Sequence, residues 1–169
     1  ENTNWFKFNK NSNLVITVPT SLVFDGVAIE TGAGKLNINN LTTDNLYLDL
    51  GAGKADINNI IVNKIAEIDG GAGEINIKTS VINNLDMDMG VGKVNLNVQL
   101  LGTNEIDSGV GKVDIDLIGT INDYEITLDK GIGETSIDGN SIASGTYGNG
   151  ANKINIDGGV GSINVSLNK

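Results

Sequence analysis

The chain lacks cysteine, histidine and arginine, and its 169 residues include one proline and seven aromatic side chains. The missing cysteine excludes a disulfide framework and a thiolate metal site. No apolar run approaches the ~20 residues needed to cross a bilayer, so we expect no membrane insertion by this segment. The formal charge of −10 comes from 21 acidic residues against 11 scattered lysines. It disfavours nucleic acid and anionic membranes as partners.

Glycine is abundant and recurs in one motif. A Gly-x-Gly with an apolar x occurs seven times, at steps of 19, 20, 19, 19, 22 and 28 residues. A period of about 20 residues is typical of a solenoid, in which each repeat forms one coil. We expect these glycines to be corners that need positive φ or close contact with the next coil. The predicted corners are Gly32 and Gly34, Gly51 and Gly53, Gly71 and Gly73, Gly90 and Gly92, Gly109 and Gly111, Gly131 and Gly133, and Gly159 and Gly161.

Short alternating runs of apolar and polar residues flank the corners, as in Leu85-Asp86-Met87 and Val94-Asn95-Leu96. This alternation predicts strands that pair in parallel and in register with the neighbouring coils. The expected fold is an all-β, single-stranded parallel β-solenoid of about seven to eight coils, right-handed like other crossovers. Hydrogen-bonded amide ladders are expected between outward asparagines of successive coils. These asparagines include Asn37, Asn76, Asn95 and Asn164.

A single solenoid domain over residues 14–169 is expected, with residues 1–13 as an N-terminal cap or a leader remnant. Leu14–Val18 and Val27–Ile29 resemble an earlier coil that lacks the first glycine corner, and the rings of Trp5, Phe6 and Phe8 would close the core above it. At the other end, the coil after Gly159 is expected to leave an uncovered strand edge, which would allow end-to-end self-association.

The core of a narrow coil with few aromatic residues should be aliphatic. We predict that the x residues of the corners stack inside it. The 22-residue step would absorb a longer corner at Gly119–Asp123, and the 28-residue step a protruding loop at Ser141–Asn149. The predicted x stack consists of Ala33, Ala52, Ala72, Val91, Val110, Ile132 and Val160.

An acidic residue stands two positions before the first glycine of every corner. We predict that corner N–H groups and the lysines just past the corners offset the repulsion within this row. The alternative is a calcium-binding stripe, since oxygen-rich sites suit calcium. No other cofactor is expected. The row consists of Glu30, Asp49, Asp69, Asp88, Asp107, Asp129 and Asp157.

The Gly-Ala-Gly-Lys and Gly-Val-Gly-Lys corners, preceded by apolar-Asp-x and followed by x-Asn/Asp-Ile, resemble bacterial adhesin-like domains of unknown function. The resemblance covers about residues 14–167. It implies an exported or membrane-anchored β-solenoid, which is secreted or displayed at the bacterial cell surface. An anchor would then lie before Glu1. The family brings no functional residues to transfer.

We expect a non-catalytic module with a structural or adhesive role, whose partner is a surface protein or a glycan. The acidic row repeats evenly and there is no histidine, whereas catalysis needs one place where carboxylate pKa values diverge. The alternatives are a carbohydrate-active β-helix enzyme and a calcium-stabilised carbohydrate-binding module. The insertion offers a recognition loop at Tyr147 and Asn149. The other interpretation of this loop is a tolerated insertion whose tyrosine covers the flank of the coil.

Overall fold

The computed structural model describes residues 13–168, and these residues form strands and turns with no helix. The all-β prediction is therefore confirmed for this part of the chain. The predicted cap residues Trp5, Phe6 and Phe8 lie outside the described residues. The strands are β1 (Val23–Asn83), β2 (Leu85–Leu101), β3 (Thr103–Ile118), β4 (Tyr124–Ile137), β5 (Asn140–Ser141), β6 (Gly145–Gly148) and β7 (Asn152–Asn168).

The long strands are coils that stack in parallel and in register. β1 contains three corners in succession, and β2 pairs with its last coil so that Ile75 lies opposite Val94. β3 continues the stack, with Val113 opposite Val94. The predicted alternating runs are correct, because their apolar residues are buried along each strand. A nearly continuous aliphatic core results, and burial of these side chains is the main stabilising contribution to the rod.

One aromatic side chain lies in this core. Tyr124 is 1% exposed, and its hydroxyl donates a hydrogen bond to the carbonyl of Ile118 over 2.6 Å. Burial raises the pKa of this phenol. The predicted longer corner precedes it, because residues 119–123 are outside any strand. There the Asp123 carboxylate accepts hydrogen bonds from the backbone N–H and the hydroxyl of Thr120, at 2.7 and 2.8 Å.

The order of the coils in space differs from their order in the chain. β7 lies between β3 and β4, so the strand order is β1-β2-β3-β7-β4-β5. Val160 of β7 pairs with Val110 on one side and with Ile132 on the other. The prediction that the last coil forms an uncovered end is wrong. The Gly119–Asp123 connection carries the chain past one coil position, and β7 later fills it.

The insertion is a cap on the outermost coil and not a protruding loop. β5 and β6 pair antiparallel with β4, with Tyr147 opposite Ile126 and Asn140 opposite Ile137. The Thr135 hydroxyl donates a hydrogen bond to the carbonyl of Ile142 over 2.8 Å. The sheet is therefore mixed, and the prediction of purely parallel pairing is wrong. Two short antiparallel strands protect an edge that would otherwise pair with another chain.

At the other end of the described rod, residues 13–22 are outside any strand. Of the two segments predicted to form an earlier coil, Val27–Ile29 lies in β1, and the prediction for Leu14–Val18 is wrong. The chain turns here, since the N–H of Leu22 donates to the carbonyl of Pro19 over 3.1 Å. Proline has no N–H to contribute to a ladder, which suits a position before the first strand.

Candidate functional site

The Gly-x-Gly corners are backbone joints that stack directly on one another, as predicted. A Cβ added at Gly111 would overlap the carbonyl oxygen of Gly92, and one at Gly109 would lie 2.6 Å from that of Gly90. The second glycine of every corner has positive φ, which disfavours any other residue. These values are 135° for Gly34, 136° for Gly53, 145° for Gly73, 147° for Gly92, 152° for Gly111, 156° for Gly133 and 149° for Gly161.

The residues between the glycines point into solvent. Val91, Val110, Val160 and Ile132 are 54%, 47%, 48% and 76% exposed, and the three alanines of the other corners are exposed too. The prediction that the x residues stack in the core is wrong, because the turn at the two glycines directs the side chain between them away from the axis. We call Val91, Val110, Val160 and Ile132 the apolar ridge.

The apolar ridge is continuous in space. Its four residues lie opposite one another on adjacent coils. Strand spacing of ~4.8 Å gives the ridge a length of roughly 14 Å. In chain order the x residues run Ala, Ala, Ala, Val, Val, Ile, Val, but in spatial order they run Ala, Ala, Ala, Val, Val, Val, Ile. Side-chain size therefore increases from one end of the rod to the other.

The acidic row lies on the sheet face that precedes the corners. Asp88, Asp107, Asp157 and Asp129 are consecutive neighbours across the strands. A second row, two residues earlier, adds acidic residues on the same side. We call the two rows together the acidic face. The second row contributes Glu67, Asp86 and Glu105.

The predicted partners of the acidic row are not found in residues 13–168. Within the described part of the chain, no corner N–H donates to these carboxylates and no lysine forms an ion pair with them. Among the same residues, Asp129 alone accepts a side-chain hydrogen bond, from Ser144 over 3.3 Å. The lysines stand on the opposite side of the corner, where they reach other aspartates: Lys35 contacts Asp56 at 2.8 Å and Lys112 contacts Asp114 at 2.7 Å.

Repulsion within the acidic face is evident at Asp107. Partial burial, followed by the charges of Asp88, Glu105, Asp157 and Asp86, raises the pKa of its carboxyl group. Because the folded pKa exceeds that of the unfolded chain, the ionised group opposes folding at neutral pH. This cost is relieved as the pH falls through the raised value toward about 3.9.

No group of three or more carboxylates in the described part of the chain is arranged to hold a metal ion. The side chains of the acidic row instead extend as a line along the rod, one on each coil. The calcium stripe over Asp49, Asp69, Asp88, Asp107, Asp129 and Asp157 therefore stays a prediction.

The face beyond the corners is neutralised and hydrogen-bonded. Asn76 donates to the Asp56 carboxylate over 2.9 Å and accepts from the Asn95 amide over 2.6 Å. Asn164 donates to Asp114 over 2.9 Å. The predicted amide ladder is confirmed at Asn76, Asn95 and Asn164, with aspartates as some of the partners, whereas no such bond to Asn37 is found in residues 13–168. Hydrogen bonds from Lys35 and Asn76 hold the pKa of Asp56 below its usual range, against partial desolvation.

The predicted recognition loop has a structural role in the cap. Tyr147 is partly buried against the core, and its hydroxyl donates to the carbonyl of Ala143 over 2.9 Å. Asn149 is exposed just past β6. Tyr147 therefore covers the flank of the outermost coil, as the second interpretation of the insertion expected. Recognition through Tyr147 and Asn149 stays a prediction.

Comparison with known proteins places these features in a family. Searches against curated proteins and against solved structures gave no match. No helix in residues 13–168 is long and apolar enough to cross a membrane. The Toastrack DUF4097 family model matches residues 1–145, a span that includes six of the seven corners but ends before β7. The chain therefore belongs to the Toastrack DUF4097 family, a family of unknown function with a β-solenoid-like fold.

Proposed function

We propose that this protein is a non-catalytic interaction module, with a structural or adhesive role outside the bacterial cell. The observation that carries this proposal is the display of like side chains at equivalent positions of successive coils, with a carboxylate of the acidic row on every coil and a ridge residue on four adjacent coils. The acidic face, the apolar ridge and the amide ladder each repeat with the coil spacing of ~4.8 Å. Such rows can contact an extended partner at many points, and the weak binding energies of the individual contacts then add up.

The distribution of the carboxylates supports binding over catalysis. Glycosidic bond hydrolysis by paired carboxylates requires an acid and a base that face each other across the substrate. In this protein, neighbouring carboxylates such as Asp88 and Asp107 stand side by side on one sheet face. Burial and neighbouring charges raise the pKa of Asp107, but its acidic neighbours stand beside it in the same row and do not face it across a substrate.

We further propose that the coils rise as a right-handed solenoid of seven to eight turns. At ~4.8 Å per coil, this solenoid is a stiff spacer of roughly 35 Å. The cap formed by β5 and β6 supports this role, because it prevents a uniform rod from growing by edge pairing. The partner of the module would be a surface protein or a glycan.

The proposal is tested in two steps. Protease treatment of intact bacteria should degrade the full-length protein if it is displayed outside the cell. The purified protein should then bind to host cells or to a glycan array, and polysaccharides incubated with it should release no reducing ends. Protection from protease in intact cells would contradict the proposed location, and turnover of a polysaccharide would contradict the non-catalytic role.

Calcium provides a separate test of the alternative binding module. A cation that bound the acidic face would raise the melting temperature by mass action. We expect little change between millimolar calcium and chelator, because the carboxylates form a line and not a cage. A large shift that disappears in the Asp88→Asn, Asp107→Asn double variant would establish a cation site.

A further inference from the structure

We propose that the apolar ridge and the neighbouring acidic residues form a docking strip for a basic amphipathic segment of a partner protein. This proposal rests on the proposed interaction function, and it names the partner class and the surface. It starts from a contrast within the repeat. The corner position holds alanine in three adjacent coils, and it holds exposed β-branched residues in the next four.

Solvent exposure makes the apolar ridge unusual. Aliphatic side chains that are about half or more exposed gain little from folding, since they stay in contact with water. The alanines at the same corner show that the fold accepts a smaller residue there. A contiguous row of exposed large apolar side chains is typical of an interaction surface.

The shape of the strip indicates contact through side chains. Glycine on both sides of each ridge residue leaves the ridge standing clear of its neighbours. At Val91, Val110 and Val160 the corner is not a sheet edge, because it has a coil on each side. Addition of a partner strand is therefore excluded at these three residues, whereas Ile132 lies on the outermost coil and pairs on one side only. The apolar side of an amphipathic helix fits the whole ridge.

Charge selects a basic partner over a second copy of this chain. Asp88, Asp107, Asp157 and Asp129 each stand three residues before a ridge residue, on the same four coils. On the far side of the ridge, Lys112 is already paired with Asp114 at 2.7 Å. Two copies that met ridge to ridge would bring two acidic faces together. Lysine or arginine beside the apolar residues of a partner would relieve the repulsion within the row.

The test uses synthetic peptides of about 14 residues, long enough to span the ridge as a helix. One peptide has leucine at positions i, i+3, i+4 and i+7 and lysine on the opposite side, so that it forms an amphipathic helix. A second replaces lysine with glutamate, and a third replaces leucine with serine. Binding is measured by calorimetry. We expect the parent protein to bind the leucine–lysine peptide at least about tenfold more tightly than either of the others.

Matched variants then locate the site. Threonine is a β-branched isostere of valine, so replacing all four ridge residues with threonine adds hydroxyl groups at exposed positions with little change in strand preference. We expect this ridge variant to lose at least about tenfold in affinity. Ile61→Thr with Ile65→Thr, at other exposed positions, should change it by less than about twofold.

The acidic row offers its own internal control. Asp88→Asn with Asp107→Asn should weaken binding and reduce its dependence on salt. Glu30→Gln with Asp49→Asn alters the same row beside the alanine corners, and it should have a much smaller effect. An equal loss of peptide affinity in the two double variants would show that the overall charge of the protein attracts the peptide. That result would overturn the role of the ridge.

Two further results would reject the docking strip. In the first, the ridge variant, shown by circular dichroism to be folded, binds the leucine–lysine peptide as tightly as the parent protein does. In the second, the parent protein binds the serine–lysine peptide as tightly as the leucine–lysine peptide. The same variants are also tested for adhesion. If the ridge variant adheres as well as the parent, the docking strip is wrong and the interaction module stands. If the parent adheres to no cell or glycan, the proposed function fails, and the peptide results decide the docking strip alone.

Discussion

Alanine substitutions at equivalent corner glycines separate two reasons for glycine. No atom of residues 13–168 lies within 4 Å of a Cβ added at Gly32 or at Gly34; Gly32 has no positive φ, whereas Gly34 has a φ of 135°. Gly111 has both a φ of 152° and a carbonyl oxygen, that of Gly92, in the place of the Cβ. Together the three positions form a graded series within one motif.

The expected costs follow from this geometry. Gly32→Ala should change the free energy of unfolding by less than about 0.5 kcal/mol. Gly34→Ala should cost about 1–3 kcal/mol, because an L-residue is strained at that φ. Gly111→Ala adds a steric overlap that forces two coils apart, for which another ~1–3 kcal/mol is expected. The cost at Gly111 should therefore be roughly twice the cost at Gly34.

Thermal unfolding followed by circular dichroism measures the series. For a chain of this size, 1 kcal/mol corresponds to about 2–4 °C in Tm. Gly34 is in the first coil, where local fraying could reduce any effect, so Gly133→Ala is the positional control. Gly133 is in the outermost coil at the other end, and its Cβ would overlap the carbonyl oxygen of Gly161.

Gly34 and Gly133 both lie in end coils, but only a Cβ at Gly133 would overlap a carbonyl oxygen of the neighbouring coil. We therefore expect Gly133→Ala to be more destabilising than Gly34→Ala. Equal Tm values for these two variants would refute the overlap. If Gly111→Ala melted like Gly32→Ala, neither strain nor overlap would matter and the corners would not be backbone devices.

Three further predictions concern the two faces and the cap. Stability should rise as the pH falls from 7 toward about 4, where the charge on Asp107 is relieved; Asp107→Asn should flatten this rise in urea unfolding. Asn76→Ala should cost about 1–3 kcal/mol, because it removes two ladder bonds at a buried position. The control Asn58→Ala removes one solvent-exposed hydrogen bond, to Asn39 over 3.2 Å, and should cost less in the same assay. Deleting Ser141–Asn149 should uncover β4 and cause concentration-dependent association in light scattering; a strictly monomeric deletion variant would show that the cap does not protect this edge.

The sequence predicts the coil well, because its signals are local. The spacing of the glycines predicts where the corners lie. The alternation of apolar and polar residues predicts which side chains of a run such as Leu85-Asp86-Met87 face the core. The outward direction of Val91 and its equivalents was missed because an apolar residue is expected inside, and a corner interrupts the alternation that would decide the side. Exposure at these positions depends on the turn itself.

The coil order was not predictable from the repeats. Val160, Ile163 and Asn164 of β7 would match the equivalent residues of any neighbouring coil, so pairing preference does not distinguish the end of the stack from its interior. The longer Gly119–Asp123 connection was visible, but length alone does not show that it bypasses a coil position. The antiparallel cap was missed because its segment is rich in small polar residues, which also suit a loop.

The interior position of β7 has a consequence for how the chain is made. β2 and β3 follow one another in the stack, so they can dock as they are synthesised, with mostly local partners. β4 has no such opportunity, because its partner on the rod, β7, is translated after it. A product truncated before Asn152 would lose one coil and leave β4, with its cap, unattached. The stack is therefore complete only after β7 has been synthesised, and chains that stop earlier are left with exposed strands for proteolysis.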